Sequence, residues 1–336
     1  FVALALLIPL ACLLIILRLK NKLPPDRFTI LIVALIVIDL ISIDWALYRS
    51  IPIDQAFADG REVAQWIAGQ SESARVYSPS YSIPQQVAQE YHLQLADGID
   101  PLQLARYVAF MQKATGVGEW KYSVTLPAFL NINSDEDIRS ALANVTPNVE
   151  LLGLLNVKYI VSAFPIEHID LIERARFGST FVYENVRVMP RAFVLGQIDA
   201  VPDADAAARW LANNEVTAAA VVEGLSQSID LKIQPYEAQI VSAQPDRIEV
   251  QASGPGLLVL SEIVTPDWIT TIDDQPAEIF PTDLTLRGVV LPWGDHTIVF
   301  SYQPKRVYAG VLISVLSLFV CAVAISVRKF SRRLSP

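Results

Sequence analysis

The chain has 336 residues, 52% of them hydrophobic and 18% charged, with a net charge of −9. The acidic balance speaks against binding to nucleic acid or anionic headgroups, which takes clustered Lys and Arg. Cys12 and Cys321 are the only cysteines and both fall in apolar runs, so no disulfide framework holds the rest.

Three apolar stretches stand out, at Phe1–Leu17, Phe28–Leu47 and Val307–Val327. Each is close to the roughly 20 residues that an α-helix needs to cross a bilayer. Arg18, Lys20, Lys22 and Arg27 join the first two, and Arg328, Lys329, Arg332 and Arg333 follow the third. Short basic flanks stay cytoplasmic, so the large segment between the second and third spans is expected outside the cytoplasm. Phe1 already lies in an apolar run with no signal-peptide n-region before it, and the chain is expected to be the end of a longer multi-pass protein.

Asp39 and Asp44 interrupt the second span. An intramembrane carboxylate normally faces a bundle interior or a watery cavity. For Asp39, a contact to further helices or a lipid-phosphate cavity and a plain packing hydrogen bond both stay open. Asp44, beside Trp45 and near Tyr48 and Arg49, is expected at the outer interface.

Between Ser50 and Pro304 there are 32 acidic and 15 basic residues, a net of −17, which suits an exported soluble domain. Residues 50–228 read as an α/β layer. Gly60–Gly69 is an amphipathic helix and Arg75–Ser78 a strand. Asp100-Pro101 is expected to open a helix through Met111, with Asp100 as N-cap. Leu151–Leu155 is a helical turn, Val157–Val161, Phe181–Glu184 and Arg191–Leu195 are strands, Asp203–Asn213 is a helix, and Thr217–Val222 is a strand. From 229 to 304 short strand-like runs alternate with turn signals, among them Gly254-Pro255-Gly256 and Pro292-Trp293-Gly294-Asp295. An antiparallel β-sandwich is expected there, with Trp268 in its core, leading into the last span and basic tail at 305–336. The expected whole is thus two membrane helices with their basic loop at 1–49, the α/β layer, the sandwich and a final membrane helix.

No catalytic constellation emerges. His92, His168 and His296 are scattered, and neither a metal nor a cofactor is expected. Gly116-Val117-Gly118-Glu119 lacks the last glycine of a dinucleotide loop. Asp135-Glu136-Asp137 lacks the Gly and Glu of a calcium loop and reads as a helix start after Ser134. Asn144-Val145-Thr146 is a sequon followed by Pro147 and reads as chance. One segment draws attention: Asp97, Asp100, Arg106 and Tyr107 cluster around a glycine turn and a helix start. Arg106 and Tyr107 could contact an anionic or sugar group, or Asp100 could cap the helix while Arg106 pairs with a carboxylate.

Several runs resemble bacterial YfhO-like membrane proteins. Leu154-Leu155-Asn156-Val157-Lys158-Tyr159-Ile160-Val161, Val182-Tyr183-Glu184-Asn185 and Met189-Pro190-Arg191-Ala192-Phe193-Val194 are similar to elements of that family. So are Gly98-Ile99-Asp100-Pro101-Leu102 with Arg106-Tyr107, and the closing runs Val259–Glu262, Pro266–Trp268, Ile272–Pro276 and Leu291–His296. Asp274-Gln275 stands where the family has an Asp-Gly turn. The resemblance covers most of residues 30–327 and follows the family's order of elements. It implies the C-terminal part of a GT-C-like multi-pass protein, a class that transfers sugars from polyprenyl-phosphate donors to extracytoplasmic cell-envelope acceptors. The catalytic acidic residue of that class lies in a first loop that these residues do not include, so the segment alone is expected to be inactive, its domain shaping the acceptor side. The other reading is a non-catalytic, membrane-anchored scaffold that binds glycan or protein.

Overall fold

The computed structural model describes residues 2–47, 52–53, 57–70, 74–117, 125–126 and 145–333, with backbone alone for 2–6, 42–47 and 324–333. Asp135–Asp137, Asn144, Gly118, Glu119, Tyr48, Arg49 and the side chain of Asp44 lie outside the described set. The chain forms two compact units, 1–58 and 59–336.

The first unit is a helical hairpin of α1 (Val2–Leu19) and α2 (Pro25–Leu47), packed on each other. Pro25 takes the first position of α2, where its missing N–H costs nothing. Both helices fall where spans are expected. Among the described residues, however, only Lys305–Val323 is long and apolar enough to cross a bilayer, and Leu7–Leu19 is a shorter apolar helix.

The second unit begins with α3 (Arg61–Ala68), β1 (Arg75–Tyr77), α4 (Gln85–Glu90), β2 (Gln94–Leu95), β3 (Gly98–Ile99), α5 (Ala105–Thr115) and β4 (Thr125–Leu126). After them come α6 (Val149–Leu154), β5 (Val157–Ser162), β6 (Leu171–Phe177) and β7 (Thr180–Asn185). A five-stranded sheet runs in the order β2-β1-β5-β7-β6, parallel across β2, β1 and β5 and antiparallel beyond. Asn148 caps α6, its side chain accepting from the N–H groups of Glu150 and Leu151, and buried Leu151, Leu152 and Leu154 anchor that helix.

Next come β8 (Ala192–Leu195), β9 (Gln197–Val201), α7 (Ala204–Leu211), β10 (Ala219–Glu223), β11 (Ile229–Asp230), β12 (Tyr236–Glu237) and β13 (Gln239–Gln244). The unit ends in β14 (Arg247–Ile263), β15 (Trp268–Ile272), β16 (Gln275–Ala277), β17 (Phe280–Thr282), β18 (Leu286–Tyr302) and α8 (Lys305–Arg333). These strands form one large sheet built on the β14–β18 ribbon.

That ribbon corrects two expectations. Gly254-Pro255-Gly256 and Pro292–Asp295 are not turns between strands but the site of a bend within two 17-residue strands, where the register slips between Gly254 and Gly256. Only glycine fits at 254, where a Cβ would lie 1.6 Å from the Pro292 carbonyl oxygen. The two arms of the bent ribbon bury their inner faces together: Val250, Ile298 and Phe300 of one arm share a core with Leu258, Leu260 and Val289 of the other.

The expected boundary at residue 228 also fails to separate two bodies. β8 pairs with β14, and β10 with β17, so one sheet runs across it. A single apolar core contains Leu152 of α6 and Ile160 of the small sheet with Phe193, Leu257 and Val259 of the large one. A third correction concerns α5, which starts at Ala105 after Leu104 rather than at Pro101. Asp100 accepts instead from the Leu102 N–H at 2.7 Å, closing a local turn. Trp268 is half-buried rather than sealed, with the Arg287 guanidinium 3.8 Å from its ring centroid.

Candidate functional site

The second unit contains a cavity of about 530 Å³ where the small sheet meets the far end of the ribbon. Its walls come from β1 (Arg75), from α4 through the β2–β3 segment (Gln85 to Asp100), from the start of α5, and from Ser261–Ile263 and Leu286. Its lining mixes apolar Leu95, Leu104, Leu155, Ile263 and Leu286 with the amide residues Gln85, Gln94 and Gln103. A mixed lining of that kind, with a few polar groups on an apolar wall, is the usual make-up of a small-molecule site.

Arg75 and Glu262 fix the floor. Arg75 Nη2 donates to Glu262 Oε1 at 2.7 Å, while its Nη1 donates to the carbonyls of Leu155 and Ser261. Arg191 donates to the same Glu262 oxygen from Nε and Nη2, at 2.9 and 2.6 Å. The charges therefore hold one another and tie β1, β8 and β14 together. This pins the wall in place and leaves the amides as the groups free to adapt to a ligand.

The four residues that the sequence singles out have different fates. Asp97, Asp100 and Tyr107 all border the cavity, and Arg106 does not. Arg106 turns to the large sheet and grips Glu223 of β10 bidentately, at 2.5 and 2.9 Å, with a further bond to the Leu284 carbonyl at 3.2 Å. Of the two readings, pairing with a carboxylate is the one this geometry takes. Tyr107 is committed too, its hydroxyl donating to the Ala96 carbonyl at 2.5 Å.

Asp97 is 8% exposed, and both its carboxylate oxygens are sealed without a hydrogen-bond partner of normal geometry. It sits beside Tyr77, Tyr81 and Tyr107. Burial in that apolar and phenolic surround pushes its carboxyl up to about 8, so at neutral pH it carries its proton. Burial raises the three phenols as well. Asp97 is thus a buried, neutral group at the cavity's edge rather than a charge offered to a ligand.

Asp39 lies on α2 in the first unit, and every residue lining the cavity belongs to the second. Among the described residues no group of three or more His, Cys, Asp or Glu side chains could hold a metal ion. Arg75, Gln85, Gln94, Ser261 and Glu262 are not legible as a set in the sequence, since Arg75 and Ser261 meet across 186 positions of chain. No family model matches the chain, and neither a search of curated proteins nor one of solved structures finds a match.

Proposed function

We propose that this chain is the membrane-anchored, extracytoplasmic acceptor-side part of a YfhO-like, GT-C-type glycosyltransferase that takes its sugar from a polyprenyl-phosphate donor. The cavity is the observation that carries the reading. Its ledge of Leu and Ile side chains suits the C–H face of a sugar or polyol, and its amides suit the hydroxyls on the edge. The resemblance along the chain supports the family. The anchor is supported by α8, whose apolar stretch from Lys305 to Val323 has no buried residue. With α1 and α2 as two further spans, the basic loop and basic tail lie in the cytoplasm and the cavity outside. Transfer itself belongs to a catalytic loop elsewhere in the parent protein.

A second reading, a membrane-anchored binding module without a transferase, has one observation in its favour. Arg106 and Tyr107, the two residues first considered for contact with a sugar or anion, are both committed to structural bonds. The two readings part in the whole membrane protein. Replacing Gln85 and Gln94 together by Ala should lower sugar transfer about tenfold through lost hydrogen bonds, at unchanged folded yield. Transfer at the wild-type rate would remove the cavity from the reaction and leave the binding module.

A further inference from the structure

Three apolar side chains stand out at the mouth of the cavity, each largely uncovered among the described residues. Leu102 is 85% exposed, Ile99 57% and Leu104 46%; Ile99 ends β3 and the two leucines lie on the loop from it to α5. In water such a cluster is unfavourable, and exposed apolar clusters of this sort mark contact surfaces.

A chain of contacts ties this loop to the start of α8. Leu102 and Leu104 line the cavity together with Ile263 and Leu286. The Ile263 carbonyl accepts from Arg287 Nε at 3.1 Å. The Arg287 guanidinium lies 3.8 Å from the Trp268 ring centroid, and the Trp268 and Tyr302 rings are 5.5 Å apart. Tyr302 is three residues before Lys305, where α8 begins. The bend in the β14–β18 ribbon explains this proximity. It folds both ends of β18 to one side of the body and puts the bend itself, with the 82%-exposed Trp293, on the other. Nine strand residues at about 3.3 Å each place Trp293 about 30 Å from Tyr302.

We infer that the Ile99–Leu104 loop is a lipid-contacting lip, which seats on the outer leaflet beside α8 and opens the cavity at the bilayer surface. The inference rests on the reading of α8 as a membrane anchor. Tyr302, Tyr308 and half-buried Trp268 gather at the same end, the place where aromatic residues sit at a membrane interface. The occupant of the lip is therefore the acyl boundary of the membrane, and the cavity receives a ligand that the membrane presents. Asp100 turns inward to the Leu102 N–H, so the loop's one charge is partly engaged at home.

The test uses the full chain with Cys12 and Cys321 replaced by Ser, reconstituted into lipid nanodiscs. Leu102→Cys, Val307→Cys and Trp293→Cys each carry an environment-sensitive fluorophore, and doxyl-labelled lipid is the quencher. All three positions are exposed, so the label does not disturb a core. The Leu102 probe should shift to the blue and be quenched by doxyl groups about 5–10 Å below the surface. The Val307 probe should be quenched as well, and the Trp293 probe should stay in water. An unquenched Leu102 probe beside a quenched Val307 probe overturns the lip and leaves the anchor standing. If neither is quenched, the anchor reading fails and the lip with it.

Discussion

Replacing Arg106 by Ala should lower the stability of the chain by about 3 kcal/mol, because it leaves a buried carboxylate without its cation. Glu223 has 8% of its side chain exposed, and Arg106 supplies both of its close bonds. The loss extends to the Leu284 carbonyl, which sits in a left-handed turn at φ +69 that the Arg106 bond helps to hold. Folded yield and sugar transfer should therefore fall together in Arg106→Ala. Changing Glu223 to Gln in the same protein should recover part of the stability, since no uncompensated charge then remains. Denaturation midpoints of the two single variants and the double variant measure this coupling. Lost transfer at normal stability would instead put Arg106 in contact with substrate.

The second large effect is a gain. Asp97→Asn should raise stability by about 3 kcal/mol near pH 7, because the native state holds a proton there that the unfolded chain has released. The sign follows from the shift. Asp97 titrates at about 3.8 in its ordinary state and about 8 in the fold. Below pH 4 both states are protonated and the group costs nothing. As pH rises toward 8 the unfolded state loses its proton first, and stability falls; above 8 the cost is complete. Asp283, also buried and pushed up to about 7, acts in the same direction over pH 4 to 7. The wild type should therefore lose stability from pH 4 to 8, and Asp97→Asn should lose less. Denaturation midpoints at pH 4 and pH 8 decide it. A variant destabilised equally at both pH values would mean that Asp97 is ionised and partnered in the fold.

Much of the small sheet is legible in the sequence, because its core strands repeat β-branched and aromatic residues. Val157–Ser162 and Thr180–Asn185 fall where those runs predict strands, as does Ala192–Leu195 of the large sheet, and the helix expected from Asp203 forms as α7. β6 escapes notice because Glu173, Arg174 and Arg176 interrupt its run; the strand lies at the sheet's edge, with much of one face in solvent. The bent ribbon escapes because Gly and Pro signal a turn and a bend alike, and which one forms depends on strands far away in sequence. For the site, the Gly98-to-Tyr107 segment marks part of the cavity's border correctly. Of the two readings of Arg106 the carboxylate pairing holds, but its partner Glu223 lies 117 positions on. Local pattern shows that an arginine is present; the fold decides which carboxylate it meets.

The proposed function requires that the cavity face the outside of the membrane. In a cysteine-free background, Ser226→Cys on the exposed turn after β10 and Ser335→Cys in the basic tail are labelled in intact cells with a membrane-impermeant thiol reagent. The account predicts that the Ser226 site labels in intact cells and the Ser335 site only after the membrane is opened. Labelling at Ser335 alone, or equal labelling of both sites in intact cells, would contradict it.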